Sequence, residues 1–295
     1  MERQEFLTPV EVLRGQQAKH GTVPRRPGPK DRIGFSFSSK DRCLYTVQSL
    51  KALDAEGSFD LIWNDGSTQK SGPELARNWR FKNARLLEIN CGLGGGPDRA
   101  ICFGLKRFLD LGYDYIGLLE NDVVLHPGWF SRLTELFALG FEEGLVCGAA
   151  SVRGYESRVL EYRNRYSIDW ASGAGMVLFS REAAQLILDQ YDKLAMTTVG
   201  IREFYAELFG VALEISEWNI WPVTQAVPCT LDFGYTPMLY RHGFATLGAI
   251  PSLAHDLDFD VRRFLRTNYV GMDKNNAGVA HPRRTEVVPW GAPNS

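Results

Sequence analysis

Apolar residues in the first half of the chain fall into short solid runs, separated by stretches with helical spacing. Ile33-Gly34-Phe35-Ser36-Phe37 alternates between polar boundaries and predicts a first strand. Phe59-Asp60-Leu61-Ile62-Trp63 and Leu86-Leu87-Glu88-Ile89 predict two more. The fourth run is the most apolar: Tyr115, Ile116, Leu118 and Leu119 end abruptly in Glu120-Asn121-Asp122. A run of that kind belongs to a strand covered on both faces, as in a parallel sheet. Leu44, Val47, Leu50 and Leu53 fall at near-helical spacing, with Gly57 as a stop. Some helix is predicted over Pro73–Trp79 and a longer one over Asp98–Leu111. Beyond the fourth strand the pattern predicts a helix over Phe130–Leu139, strands over Leu145–Ala149 and Ala174–Phe179, and a helix from the N-cap Ser180 to Tyr191. Strands and helices alternating at short intervals mark an α/β domain with a mainly parallel central sheet.

The ends of the chain differ from this middle. Glu2–Leu13 reads as a short helix, followed by a polar, Pro/Gly-rich linker, so residues 1–31 are expected to form a peripheral arm. One domain is expected over 32–255, with a nucleotide half to 130 and a mixed, aromatic-rich half after it. Residues 256–295 read as a polar tail.

Composition narrows the function classes. The 295 residues are 44% hydrophobic and 23% charged, with a formal net charge of −2, so no general pull toward nucleic acid or anionic membrane exists. Five scattered cysteines without a CxxC pair argue against a zinc ribbon or a disulfide framework. No leader pattern and no bilayer-spanning run is visible, so the expected location is the cytoplasm.

Four predicted strands end in polar clusters: Ser38-Ser39-Lys40-Asp41-Arg42, Asn64-Asp65-Gly66-Ser67, Asn90-Cys91 before the glycine-rich run Gly92–Gly96, and Glu120-Asn121-Asp122. In a parallel sheet these ends share one edge, where ligands of open α/β sheets bind. Asp65 can accept from a ring N–H or a sugar hydroxyl. The acids of the fourth cluster suit Mg²⁺ or Mn²⁺, which in turn can hold a diphosphate. Each cluster is also good turn chemistry on its own. The glycine-rich run follows a strand and precedes a helix, yet it lacks the last fingerprint glycine and any Gly-Lys-Ser/Thr.

Taken in order, these clusters resemble the nucleotide-binding half of the family-2 glycosyltransferases of the Rossmann-like GT-A fold. Asn64-Asp65-Gly66-Ser67 is similar to that family's Asp-Asp-Gly-Ser. Glu120-Asn121-Asp122 stands where the family has Asp-x-Asp, with Glu for the first Asp. Ser38 to Arg42 takes the place of Pro-Thr-Tyr-Asn-Arg, keeping only the arginine, and Ala171–Met176 resembles the later glycine-rich acceptor segment. The resemblance covers roughly residues 32 to 180. It implies that Ser39, Arg42, Asp65, Arg99, Glu120 and Asn121 line a nucleoside-diphosphate sugar, with UDP-sugar the expected donor. It further implies that Asp122 binds Mn²⁺ or Mg²⁺, and that the acceptor is a carbohydrate or another hydroxyl compound, nucleic acid included.

The second half matches less well. Pro237-Met238-Leu239-Tyr240-Arg241-His242-Gly243 is similar to a Pro-x-x-x-x-His-x-Gly segment whose histidine completes the metal shell in several GT-A enzymes, which makes His242 a metal candidate; His255 is the other. The family's usual Glu-Asp pair after the acceptor segment is missing. Glu217, flanked by aromatics, is the expected base, with Asp169, Glu203 and Glu207 as alternatives. Trp170, Trp218 and Trp221 are candidates for stacking on sugar. A nucleotidyltransferase and a non-catalytic nucleotide-sugar-binding protein remain as rival readings.

Overall fold

The computed structural model describes residues 7–92, 97–153, 158–172, 175–191, 196–213, 228–229 and 231–257. In chain order the elements are α1 (Pro9–His20), β1 (Ile33–Ser39), α2 (Cys43–Leu53), β2 (Asp60–Asp65), α3 (Ser71–Asn78), β3 (Arg85–Cys91), α4 (Pro97–Asp110), β4 (Tyr115–Glu120), β5 (Val123–Leu125), α5 (Trp129–Glu142), β6 (Val146–Ser151), β7 (Val159–Tyr162), β8 (Tyr166–Asp169), β9 (Met176–Ser180), α6 (Arg181–Asp189), β10 (Met196–Thr197), α7 (Thr198–Phe209), β11 (Pro228–Cys229), α8 (Leu231–Arg241), β12 (Phe244–Ala249) and β13 (Ala254–Asp256).

The main sheet runs β3-β2-β1-β4-β9-β6-β12-β8-β7. Its first four strands are parallel, β9 enters antiparallel between β4 and β6, and β12 lies parallel to β6. The fold is a mixed α/β single domain. Its register aligns the polar strand ends: Ser39 pairs with Asp65, Ser38 with Glu120, and Asp65 with Cys91. The strand-end clusters therefore do share one carboxyl edge.

Two apolar layers close the sheet, as the solid runs require. One face packs Leu50 and Leu53 of α2, Ala76 of α3 and Leu133 and Leu136 of α5. The other packs Ile101, Leu105 and Phe108 of α4, Ala183 and Ile187 of α6, and Leu239 of α8. At the centre, Phe35 meets Phe59 and Trp129 edge-on, with ring centroids 5.0 and 5.6 Å away. Such pairs add about 0.5–1.5 kcal/mol beyond area burial. Gly117 of β4 makes this arrangement possible, since a Cβ there would stand 2.1 Å from the Phe35 ring.

The amino-terminal arm departs from expectation. Its helix starts later and runs further, through His20, and its residues Val10 and Leu13 are buried in the core. Thr8 and Glu11 form a capping box, Pro9 occupies the first turn, and Gly21 closes the helix at φ 64°. Arg25 pairs with Asp31 and Asp114, which ties the following linker to the domain.

Candidate functional site

The loop after β1 is built around two consecutive left-handed residues, Asp41 at φ 51° and Arg42 at φ 50°. That conformation costs of order 1–3 kcal/mol at each non-glycine residue and persists only where neighbours enforce it. Here the Asp41 carboxylate accepts from the N–H groups of Thr68 (3.0 Å) and Gln69 (3.2 Å), and the Asp41 N–H donates to Ser67 Oγ (2.7 Å). The loops after β1 and β2 are thereby stitched together. One result is that Arg42 Nη1 stands 3.6 Å from Asp122 Oδ2.

At the end of β2, Asp65 is 1% exposed. Its Oδ1 accepts from Ser39 Oγ (2.8 Å) and Ser67 Oγ (2.6 Å), and Ser39 Oγ accepts in turn from Trp63 Nε1 (2.8 Å). Its Oδ2 is buried with no hydrogen-bond partner. Buried carboxylate oxygens are costly to leave unpaired, so such an atom marks a place for a donor. Gly72 of α3 packs directly on this group: a Cβ there would stand 2.2 Å from Ser67 Oγ and 3.0 Å from Oδ2, so only glycine lets α3 close over the Ser67–Asp65 pair.

The acidic turn after β4 divides its side chains between inside and outside. The Glu120 N–H donates to the Gly175 carbonyl (3.0 Å), which fixes the start of β9 beside the turn. Asn121 points inward: its side-chain amide donates to Thr46 Oγ1 (3.0 Å), while its main-chain carbonyl accepts from Ser49 Oγ (2.9 Å). The expected donor contact of Asn121 is thus replaced by a brace that holds α2. Asp122 remains about one-quarter exposed. Its carbonyl accepts from the Leu257 N–H (2.8 Å), and β13 pairs antiparallel with β5, placing His255 opposite Val124. His255 Nδ1 and His126 Nε2 are 2.9 Å apart, with the rings stacked. The chain thus brings His255 to the strand that Asp122 heads.

His242 goes elsewhere. It precedes Phe244, which pairs with Val146 at the start of the parallel strand β6, so it lies at the amino edge of the sheet. There it faces His20 with ring centroids 5.1 Å apart, and its carbonyl accepts from Thr22 Oγ1 (2.9 Å). Desolvation, helped by His20 and Arg241, lowers its pKa. A metal role shared with Asp122 is therefore corrected: the whole sheet separates the two. Trp170 is also corrected, being 2% exposed and packed against Tyr205 in the core instead of open to a sugar. Glu203 and Glu207 are exposed on α7. Glu217, Trp218, Trp221 and residues 93–96 lie outside the described residues, as does the side chain of Arg99 in the first turn of α4.

Asp169 is fully enclosed, with its pKa pushed up to about 7 by desolvation against opposing contributions from Ser167 and Arg158. It lies beneath Gly248, where a Cβ would stand 2.2 Å from Oδ2. A carboxyl whose folded pKa exceeds its unfolded one holds its proton more tightly in the native state. Its burial therefore lowers stability as pH rises from about 4 to about 7. Asp169→Asn should leave the melting temperature unchanged at pH 4 and raise it at pH 8, by an amount on the order of 2–4 kcal/mol in stability. Equal melting shifts at both pH values would show that the carboxyl stays ionised throughout.

The chain matches no protein-family model and no curated protein sequence. Among solved structures it is similar to the glycosyltransferase GlyE from Streptococcus pneumoniae TIGR4, at 13% identity and a TM-score of 0.37. That match covers 85% of this chain and 50% of the other, so the chain spans about half the length of that protein. It is also similar to A197 from STIV, at 16% identity and a TM-score of 0.31, covering 61% of this chain and 78% of that one. Neither likeness carries an argument about function. Among the described residues, no helix is long and apolar enough to cross a membrane.

Proposed function

We propose that this protein is a GT-A glycosyltransferase that moves a sugar from a nucleoside-diphosphate sugar to an acceptor hydroxyl. The observation that carries the reading is Asp65, a buried carboxylate at the carboxyl edge with one oxygen already saturated by two serines and the other unpartnered. A pyrimidine ring N–H is the matching donor, and uracil, the base of uridine, is the one proposed. In the transfer, the acceptor oxygen bonds to the anomeric carbon as that carbon's bond to the diphosphate breaks. The hydroxyl proton passes to a carboxylate, for which Glu217 remains the proposed group.

Asp122 and His255 would hold a divalent cation. Among the described residues, no three carboxylate, imidazole or thiolate groups stand together as a complete cage. A Mg²⁺-type ion does not need one, since one or two carboxylates plus substrate phosphates complete its shell. When bound, the ion neutralises charge on the departing diphosphate. Arg42, held beside Asp122, provides fixed positive charge at the same place.

A thermal-shift series with uridine, UDP and UDP-sugars, with and without Mn²⁺, tests this reading. UDP at 100 times its dissociation constant should add about 2.7 kcal/mol to the apparent stability. Absence of any shift across the nucleotide series would sink the proposal. Binding without donor hydrolysis or transfer would instead favour a non-catalytic nucleotide-sugar-binding protein.

A further inference from the structure

Arg153 follows β6 at the carboxyl edge that also carries Ser39, Asp65 and Glu120. The turn that presents it is fixed by Ser151, whose Oγ donates to the Met176 carbonyl (2.6 Å) and accepts from the Arg153 N–H (3.1 Å). Because β9 is inserted antiparallel between β4 and β6, Gly175, the residue before it, lies between Arg153 and the acidic turn. A Cβ at Gly175 would stand 2.6 Å from Arg153 Nη1, 3.2 Å from Val123 Cγ2 and 3.4 Å from Glu120 Oε2. The guanidinium and the Glu120 carboxylate thus converge over a glycine that has no side chain to part them.

A second guanidinium stands on the other side of the same turn, where Arg42 faces Asp122. Two carboxylates on one turn are therefore flanked by two arginines, one from each half of the chain. Sugar hydroxyls are served by carboxylates and amides, whereas a planar guanidinium with fixed charge and forked donors matches phosphate oxygens. We propose that Arg153 binds the donor's diphosphate, opposite Arg42, and that Gly175 exists to let it reach there. This rests on the nucleotide-sugar reading of the site and adds a phosphate-binding residue from the acceptor half.

Calorimetric titration of wild type, Arg153→Ala, Arg153→Gln, Arg153→Lys and Gly175→Ala with uridine and with UDP tests the proposal. Removal of the charge in the Ala and Gln variants should weaken UDP binding about 10–100-fold and leave uridine binding within about twofold. The Lys variant should recover part of the loss. Gly175→Ala, which displaces the guanidinium without removing it, should give an intermediate loss confined to UDP. Unchanged UDP affinity in Arg153→Ala, or equal losses for uridine and UDP, would overturn the proposal, the second outcome pointing to a brace for the loop. If wild type binds neither compound, the nucleotide reading itself fails, and the role of Arg153 with it.

Discussion

Asp122→Asn should lower turnover at least about 100-fold and abolish its response to Mn²⁺ or Mg²⁺, while the protein stays folded. The substitution keeps the size of the side chain and removes its charge. In the free protein that charge faces Arg42 at 3.6 Å, with the two side chains 50% and 25% exposed. An ion pair so open to water is worth no more than about 1 kcal/mol, so the melting temperature should move by only a few degrees in either direction. The loss in rate should be larger because, on the function proposed above, a divalent ion and a diphosphate would both concentrate charge at this point, where one ligand carboxylate would be a large part of what the protein provides. Donor hydrolysis measured against metal concentration decides the matter. Wild-type turnover with unchanged metal dependence would remove Asp122 from the centre of the site.

The legible part of the fold was the part whose residues obey a single period. The strands β1, β2 and β4 show as largely apolar runs because both their faces are covered, whereas the edge strand β3 is only partly buried. The polar residues that close them betray the carboxyl edge for the same reason. By contrast, β12 reads Phe-Ala-Thr-Leu-Gly-Ala, fully buried yet poor in large β-branched side chains. Its small residues make room for neighbours such as Asp169 under Gly248, a relation between strands far apart in sequence. The extent of helix α1 is obscured in the sequence by the Pro/Gly-rich stretch that follows it closely, although Thr8 and Glu11 stand at capping-box spacing. Resemblance in spacing misled at His242, since a motif says nothing about which edge of the sheet its strand starts from. Arg153 could not have been found at all without the antiparallel entry of β9, which brings Gly175 beside Glu120. Asn121 shows the same limit within one motif: alternation around the turn sends its amide into α2 and leaves Asp122 outside.

Asp65→Asn should weaken uridine and UDP binding by the same factor, about 10–100-fold, with the fold preserved. The choice of Asn over Ala follows from the local network. Oδ1 must go on accepting from Ser39 and Ser67, whose hydroxyls would otherwise be stranded in the interior, and the amide oxygen can do so. What changes is the other atom: the unpartnered Oδ2 becomes an NH₂ group. On the proposed reading, an acceptor for a ring N–H is replaced by a donor, so two donors would confront each other and the contact would be lost. Asp65→Ala should bind nucleoside as poorly but should also lose about 1–3 kcal/mol of stability, because it strands the serine hydroxyls. Titration of both variants with uridine and UDP, alongside their melting curves, separates recognition from folding. Since the proposed contact is to the base, the UDP-to-uridine affinity ratio should stay at its wild-type value. That ratio is the quantity Arg153→Ala is expected to change, so the two variants locate the ends of the bound nucleotide independently. A variant with wild-type nucleoside affinity but altered sugar selectivity would move Asp65 from the base to the sugar, and would require the nucleotide to lie in the opposite sense along the edge.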